Sequence, residues 1–137
     1  MNFFFHECKL RVRYSETDQM KYVYYGNYAG YFEVARVEAM RNFGFNYKEL
    51  EDSGIFMPVS KYQIDFIKPC LYDEELTIRT EIHEIPAARI RFQYSTLKEN
   101  GELANRAFTE LFFFDKETSR PVRAPEKLVN LLKSKIF

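Results

Sequence analysis

Across residues 3–14 the chain alternates. Leu10, Val12 and Tyr14 fall on one side, and Lys9, Arg11 and Arg13 on the other. That period of two predicts a strand with one buried face. Residues 15–26 break the rhythm with a polar and aromatic loop. From Asn27 the period lengthens: Tyr28, Tyr31, Phe32, Ala35, Ala39 and Phe43 recur at steps of three and four, while Glu33, Arg36, Glu38 and Arg41 fall mostly elsewhere. This predicts a helix of roughly 25 Å, with Asn27 suited to cap its first turn and Gly44 to close it. Alanines interleaved with aromatics on the inner face suit a helix laid closely against a sheet. A short second helix is expected after Asn46, because Glu49 three residues on and the Phe45/Leu50 pair resemble a capping box with its hydrophobic staple.

The remainder reads as strands. Residues 59–67 form one, stopped by Pro69. Residues 75–82 form the next, with Leu76, Ile78 and Ile82 alternating against Thr77, Arg79 and Glu81. Residues 88–97 set Ile90, Phe92 and Tyr94 opposite Arg89, Arg91, Gln93 and Ser95. Glu99-Asn100-Gly101-Glu102 is a hairpin signal leading into residues 103–114. Pro125 suits the first turn of a closing helix whose apolar side is Leu128, Leu131 and Leu132. The order is strand, long helix, four long strands, terminal helix. Strands joined by tight turns pair antiparallel, and their buried face needs a cover that the one long helix supplies. The expected class is α+β, an antiparallel sheet curled around a central helix. A doubly wound fold is excluded because strands and helices do not alternate.

Length agrees with one domain spanning 1–137: no repeat, linker or low-complexity stretch divides the 137 residues. Lys+Arg and Asp+Glu number 20 each, so the basic excess typical of a nucleic-acid-binding domain is missing. The longest apolar runs, such as residues 111–114, fall far short of the ~20 residues of a membrane helix. The opening residues show neither the charged nor the apolar region of an export signal. Cys8 and Cys70 stand in no metal-binding or redox spacing, so the sequence implies no metal or other cofactor; two lone cysteines suggest a reducing cytoplasm. Aromatic residues make up 18% of the chain, ample for a packed core.

Candidate chemistry concentrates in one place. Neither His6 nor His83 stands in a metal pattern, and no glycine-rich phosphate loop, nucleophile elbow or HExxH motif occurs. The informative stretch is residues 14–28, Tyr-Ser-Glu-Thr-Asp-Gln-Met-Lys-Tyr-Val-Tyr-Tyr-Gly-Asn-Tyr. It sets Asp18 in the loop feeding the N-terminus of the long helix. Unpaired N–H groups there carry partial positive charge and can stabilise a developing oxyanion. A carboxylate facing that end can attack a carbonyl or activate water. It can equally, as Asp18 or Glu16, serve only to stabilise the turn through its own backbone.

Continued through Ala29-Gly30-Tyr31-Phe32-Glu33-Val34-Ala35-Arg36, this stretch resembles the signature of hotdog-fold acyl-CoA thioesterases of the 4-hydroxybenzoyl-CoA thioesterase / YbgC-like branch. Arg120-Pro121-Val122-Arg123-Ala124-Pro125 is similar to that family's ending. The resemblance implies a hotdog fold, hydrolysis of an acyl-CoA (or acyl-carrier-protein) thioester, and a homodimer or homotetramer with active sites between subunits. It implies that Asp18 is the nucleophile or general base and that Tyr25 polarises the thioester carbonyl through its backbone N–H. Substrate contacts are expected from Tyr24 and Glu33, and from Lys61, Arg89 and Arg91, surface cations suited to the CoA phosphates.

Each of these residues has a plainer reading. Glu33 and Arg36 can be a surface i,i+3 pair worth a few tenths of a kcal/mol. Tyr22, Tyr24, Tyr28 and Tyr31 can line the core or a subunit contact, and the arginines can be a solvated strand face. One residue departs from the family: the glycine common three places after the aspartate is Lys21 here. Lysine enters positive φ less readily than glycine, so a different backbone path is expected there. Two other functions stay open. A hotdog hydratase would need a histidine in the loop–helix region, where there is none. A non-catalytic acyl-CoA or acyl-carrier-protein binding module would share the site without releasing thiol.

Overall fold

The computed structural model describes residues 2–136. Chain order is β1 (Phe4–Arg11), two 3-10 turns (Tyr14–Glu16 and Tyr25–Asn27), α1 (Tyr28–Asn42), α2 (Tyr47–Asp52), β2 (Ile55–Phe56), β3 (Val59–Phe66), β4 (Glu75–Ile82), β5 (Arg89–Leu97), β6 (Leu103–Asp115), β7 (Arg120–Val122) and α3 (Glu126–Ile136). All strand pairs are antiparallel. They run β1-β4-β5-β6, with β3 on the far side of β6, and β2 and β7 continue the pairing at the end of β6. This is the hotdog arrangement, an antiparallel sheet curled around α1.

The pattern of buried positions explains the curl. Leu76, Ile78, Ile82, Ile90, Phe92, Tyr94, Leu111 and Phe113 point to one face and are buried. Helix α1 covers that face with Tyr28, Tyr31, Phe32, Ala35, Ala39 and Phe43, the six positions its period marks out. Ala35 and Ala39 are wholly buried, so the helix axis sits close to the sheet. Farther toward its start the Phe32 ring stacks on Tyr94, centroids 4.5 Å apart. Gly44 ends the helix at φ +93°, where Phe45 N–H donates to Met40 O at 2.9 Å, a left-handed cap that glycine forms at little steric cost. Asn46 caps α2, its Oδ1 accepting from Lys48 N–H and Glu49 N–H at 2.9 and 3.3 Å.

Four expectations need correction. Strands β3 and β4 are consecutive but unpaired: β3 pairs β6, and β4 pairs β1 and β5. The link between them, residues 67–74, exceeds a hairpin turn and carries the chain across the sheet. The short strands β2 and β7 carry too few residues to show a period. Asn27 does not cap α1; its backbone is already helical, and its side-chain amide donates instead to Glu16 O at 2.8 Å. Finally, Arg36 is not on the surface beside Glu33. It is 8% exposed, donates to the Tyr94 hydroxyl at 3.1 Å and lies over the Phe92 ring at 5.9 Å. Tyr94 in turn shares a 2.6 Å hydrogen bond with Thr109. No carboxylate among the described residues pairs with this guanidinium and its buried Nε has no hydrogen-bond partner, so its hydroxyl and ring contacts offset only part of what burial costs it.

Strand β3 leaves one edge of the sheet open. Tyr62 and Phe66 remain 41% and 55% exposed on the side nearer α1. Among the described residues, no helix is long and apolar enough to cross a membrane.

Candidate active site

The loop between β1 and α1 doubles back on itself. Asp18 N–H donates to Tyr22 O at 2.8 Å and Lys21 N–H to Asp18 O at 2.9 Å, which closes a tight turn. Asp18 reinforces the turn with its own side chain, Oδ1 accepting from Met20 N–H at 2.9 Å and Tyr22 N–H at 3.2 Å. Aspartate is suited to this because its short carboxylate reaches amides two to four residues ahead. Lys21 adopts φ +65°. Lysine here holds a left-handed conformation of the kind that glycine adopts at little steric cost. That costs roughly 1–2 kcal/mol, which the surrounding turn bonds sustain.

The turn-stabilising reading of Asp18 is visible in these bonds. One oxygen stabilises the turn; the other, Oδ2, accepts no hydrogen bond among the described residues. The half-buried side chain borders a cavity of about 500 Å³. Tyr22, Val23, Tyr25 and Tyr28 line it from the loop and the start of α1, and Phe66, Ile67, Lys68 and Pro69 from the end of β3 and the link beyond. Tyr25 opens the 3-10 turn that runs into α1, and Tyr28 N–H closes back on Tyr25 O. The N–H groups of Tyr25 and Gly26 have no acceptor among the described residues, as the first turn of a helical segment dictates. They lie at the positive end of the helix dipole, and Tyr25 is itself one of the residues lining the cavity.

Other reactive groups around this space are held inert. Burial pushes the Tyr28 phenol far above its ordinary value, and the neighbouring Cys70 thiol adds to the shift. Cys70 is itself fully buried and raised by desolvation, so it stays a thiol at neutral pH. The Tyr31 phenol is raised by burial and by its bond to Glu16.

The other expected site residues lie elsewhere. The Tyr24 ring packs on Tyr25, centroids 4.6 Å apart, outside the cavity wall. It also covers Gly26, where a Cβ would meet that ring at 2.7 Å. Glu33 is exposed on the outer side of α1. Lys61, Arg89 and Arg91 project from the sheet face opposite α1. Lys61 and Arg89 approach Glu110 at 3.8 and 3.7 Å, and Arg91 covers the Phe108 ring at 3.9 Å. Arg89 also lines a second cavity of about 510 Å³ with Ser60, Phe112 and Arg123. Within one chain, none of these three cations borders the Asp18 cavity. His6 stands in β1, and His83 follows β4 bonded to Glu81 at 2.8 Å. Among the described residues no group of three or more His, Cys, Asp or Glu side chains could hold a metal ion.

Sequence reasoning missed the far wall, Phe66 to Pro69. These residues reach α1 only because β3 pairs with β6, Phe66 opposite Asn105, and no local pattern signals a long-range pairing of that kind.

Residues 12–132 match the family model described as the thioesterase-like superfamily. The chain is 33% identical over 115 residues to YneP of Bacillus subtilis, assigned as an acyl-CoA thioesterase, covering 84% of this chain and 83% of that one. It is 29% identical over 120 residues to the acyl-CoA thioesterase YbgC of Haemophilus influenzae, with 87% and 88% covered. Among solved structures, the DHNA-CoA thioesterase of Staphylococcus aureus superposes with a TM-score of 0.84 at 34% identity, over 87% of this chain and 80% of that one. A loop aspartate set beside a free helix start, on this fold and with these relatives, places the chain in the thioesterase-like superfamily.

Proposed function

We propose that the chain hydrolyses an acyl-CoA thioester to a free carboxylic acid and CoA, with the reaction in the Asp18 cavity. One observation carries this reading: Asp18, with an unengaged carboxylate oxygen, and Tyr25, whose N–H is unpaired at a helix start, line the same largely apolar space. The thioester oxygen accepts from Tyr25 N–H, which strengthens as negative charge gathers on that oxygen. Asp18 Oδ2 then attacks the carbonyl carbon, expelling CoA thiolate and leaving an acyl anhydride that water hydrolyses; or it takes the proton of a water that attacks directly. Either way one water is consumed: its oxygen joins the acyl carbon, one of its protons ends on the CoA thiol and the other stays with the carboxylic acid. The relatives' names support a CoA thioester, and two free cysteines suit a reducing compartment such as the cytoplasm.

The deciding assay is thiol release from a series of acyl-CoA esters. Failure to hydrolyse any thioester while still binding one would leave a carrier or binding module instead. Lys61, Arg89 and Arg91 are the cations proposed for the CoA phosphates. Arg89→Glu and Arg91→Glu should each raise KM for an acyl-CoA by about tenfold, the worth of one charge-assisted contact, and leave KM for the matching acyl-pantetheine unchanged. Equal effects on both substrates would remove that role.

A second copy of the chain is proposed to cover the open edge of β3. Self-pairing about Gln63 sets Lys61 opposite Asp65 of the other copy twice over, whereas pairing about Lys61 or Asp65 sets like charges together. That register also brings the other copy's Val59 toward Ile67 in the cavity wall. Lys61→Asp should shift the assembly toward monomer in sedimentation, and adding Asp65→Lys should restore it. A double variant as dissociated as the single one would rule out the register.

A further inference from the structure

The loop carrying Asp18 is tied to the link of residues 67–74 by Val23 N–H to Cys70 O at 2.9 Å and Tyr72 N–H to Lys21 O at 3.2 Å, and to the start of α1 through Glu16. The Glu16 carbonyl accepts from Tyr24 N–H at 2.9 Å and from Asn27 Nδ2 at 2.8 Å. Its carboxylate accepts from Arg13 N–H at 2.8 Å, from the Arg13 guanidinium at 3.1 and 3.2 Å, and from the Tyr31 hydroxyl at 2.9 Å. The side chain is only 15% exposed. Burial alone would raise its pKa, but these hydrogen bonds and the Arg13 charge outweigh burial and hold the carboxyl below its ordinary range.

The geometry is specific. Arg13 lies just past the end of β1, Asn27 and Tyr31 belong to the start of α1, and Tyr24 immediately precedes Tyr25. Among the described residues, both side-chain hydrogen bonds from the start of α1 to this loop end on Glu16. Asp18 lies two residues beyond it. Glu16 thus joins the segment that presents the Asp18 carboxylate to the one that presents the Tyr25 N–H, and it borders the cavity at no point. A carboxylate does this better than a neutral acceptor because bonds to ionised groups are shorter and about twice as strong.

We propose that Glu16 is a positioning residue for thioester hydrolysis, aligning the reactive carboxylate with the oxyanion donor; this rests on the roles given above to Asp18 and Tyr25. The test measures kcat and KM for thiol release in Glu16→Ala, Glu16→Gln, Tyr31→Phe, Asp18→Asn and the Asp18→Asn/Glu16→Ala double variant, each checked for a cooperative thermal transition. Glu16→Ala should lower kcat about 10²-fold, the effect of an ångström-scale misplacement, with KM little changed. Glu16→Gln, which still accepts from Arg13 N–H and Tyr31, should recover most of that loss. In the Asp18→Asn background Glu16→Ala should cost nothing further, as expected for residues acting as one unit.

Wild-type kcat in Glu16→Ala, a loss confined to KM, or full multiplicative losses in the double variant would each overturn the proposal. If Glu16→Ala lacks a cooperative transition, Glu16→Gln and Tyr31→Phe decide: a severalfold fall in kcat supports positioning, and wild-type kcat in both overturns it. Wild-type kcat in Asp18→Asn overturns the Asp18 assignment and this proposal with it. Wild-type kcat in Glu16→Ala alone overturns only the latter.

Discussion

Asp18→Asn is expected to lower kcat for acyl-CoA hydrolysis by about 10²–10⁴-fold, the usual worth of a positioned acid–base or nucleophilic group, with KM nearly unchanged. The substitution is informative because of what it keeps. Asparagine retains an Oδ1 that can accept from Met20 N–H and Tyr22 N–H, so the turn and the left-handed Lys21 survive. Only the charge and the second oxygen are lost. Asp18→Ala would remove the turn bonds as well and confuse chemistry with loop geometry. Rates from steady-state thiol release, with melting temperatures beside them, separate the two; an unaltered kcat in Asp18→Asn would mean that another group performs the reaction.

Tyr25→Pro should cost nearly as much, because it deletes a single N–H. Removing one oxyanion donor typically costs about 2.7–4 kcal/mol, or 10²–10³-fold in kcat. The backbone is prepared for proline here. Tyr24 sits at φ −61°, ψ 130°, the extended conformation that a residue before proline favours. Tyr25 itself is the first residue of a helical segment, a position where proline is readily accommodated. Tyr25→Ala is the control, since it removes the same ring and keeps the N–H. The expected ranking is near-native kcat for alanine and a deep loss for proline, with both proteins folded by circular dichroism. Equal losses would place the contribution in the Tyr25 ring instead of the main chain.

What could be read from sequence follows how local each feature is. The face of α1 was legible because six residues within sixteen carry its period, and all six are buried. The cap at Gly44 and the start of α2 at Asn46 were legible for the same reason. Arg36 was not, because its burial is decided by Tyr94 and Thr109 more than fifty residues away. The open edge of β3 was hidden too, since which strand lies beside which depends on long-range pairing. That Asp18 and Tyr25 come together beside one cavity was legible because both belong to one short loop before a helix. The positive φ at Lys21 was not, as nothing in a lysine announces that its neighbours will hold it there. Arg89 and Arg91 could be read as one face of a strand, but composition cannot tell on which side of the sheet that face lies.

The cavity draws its two sides from segments that share no local dependence. Asp18 to Tyr28 supply the side with the carboxylate, and Phe66, Ile67, Lys68 and Pro69, far along the chain, supply the other. Bulk can therefore be added or removed at Phe66 or Ile67, both well exposed and outside the hydrogen bonds of the loop, without disturbing the groups that break the bond. A scaffold divided in this way lets the wall opposite the carboxylate change in size over evolutionary time while the loop proposed to break the thioester stands still.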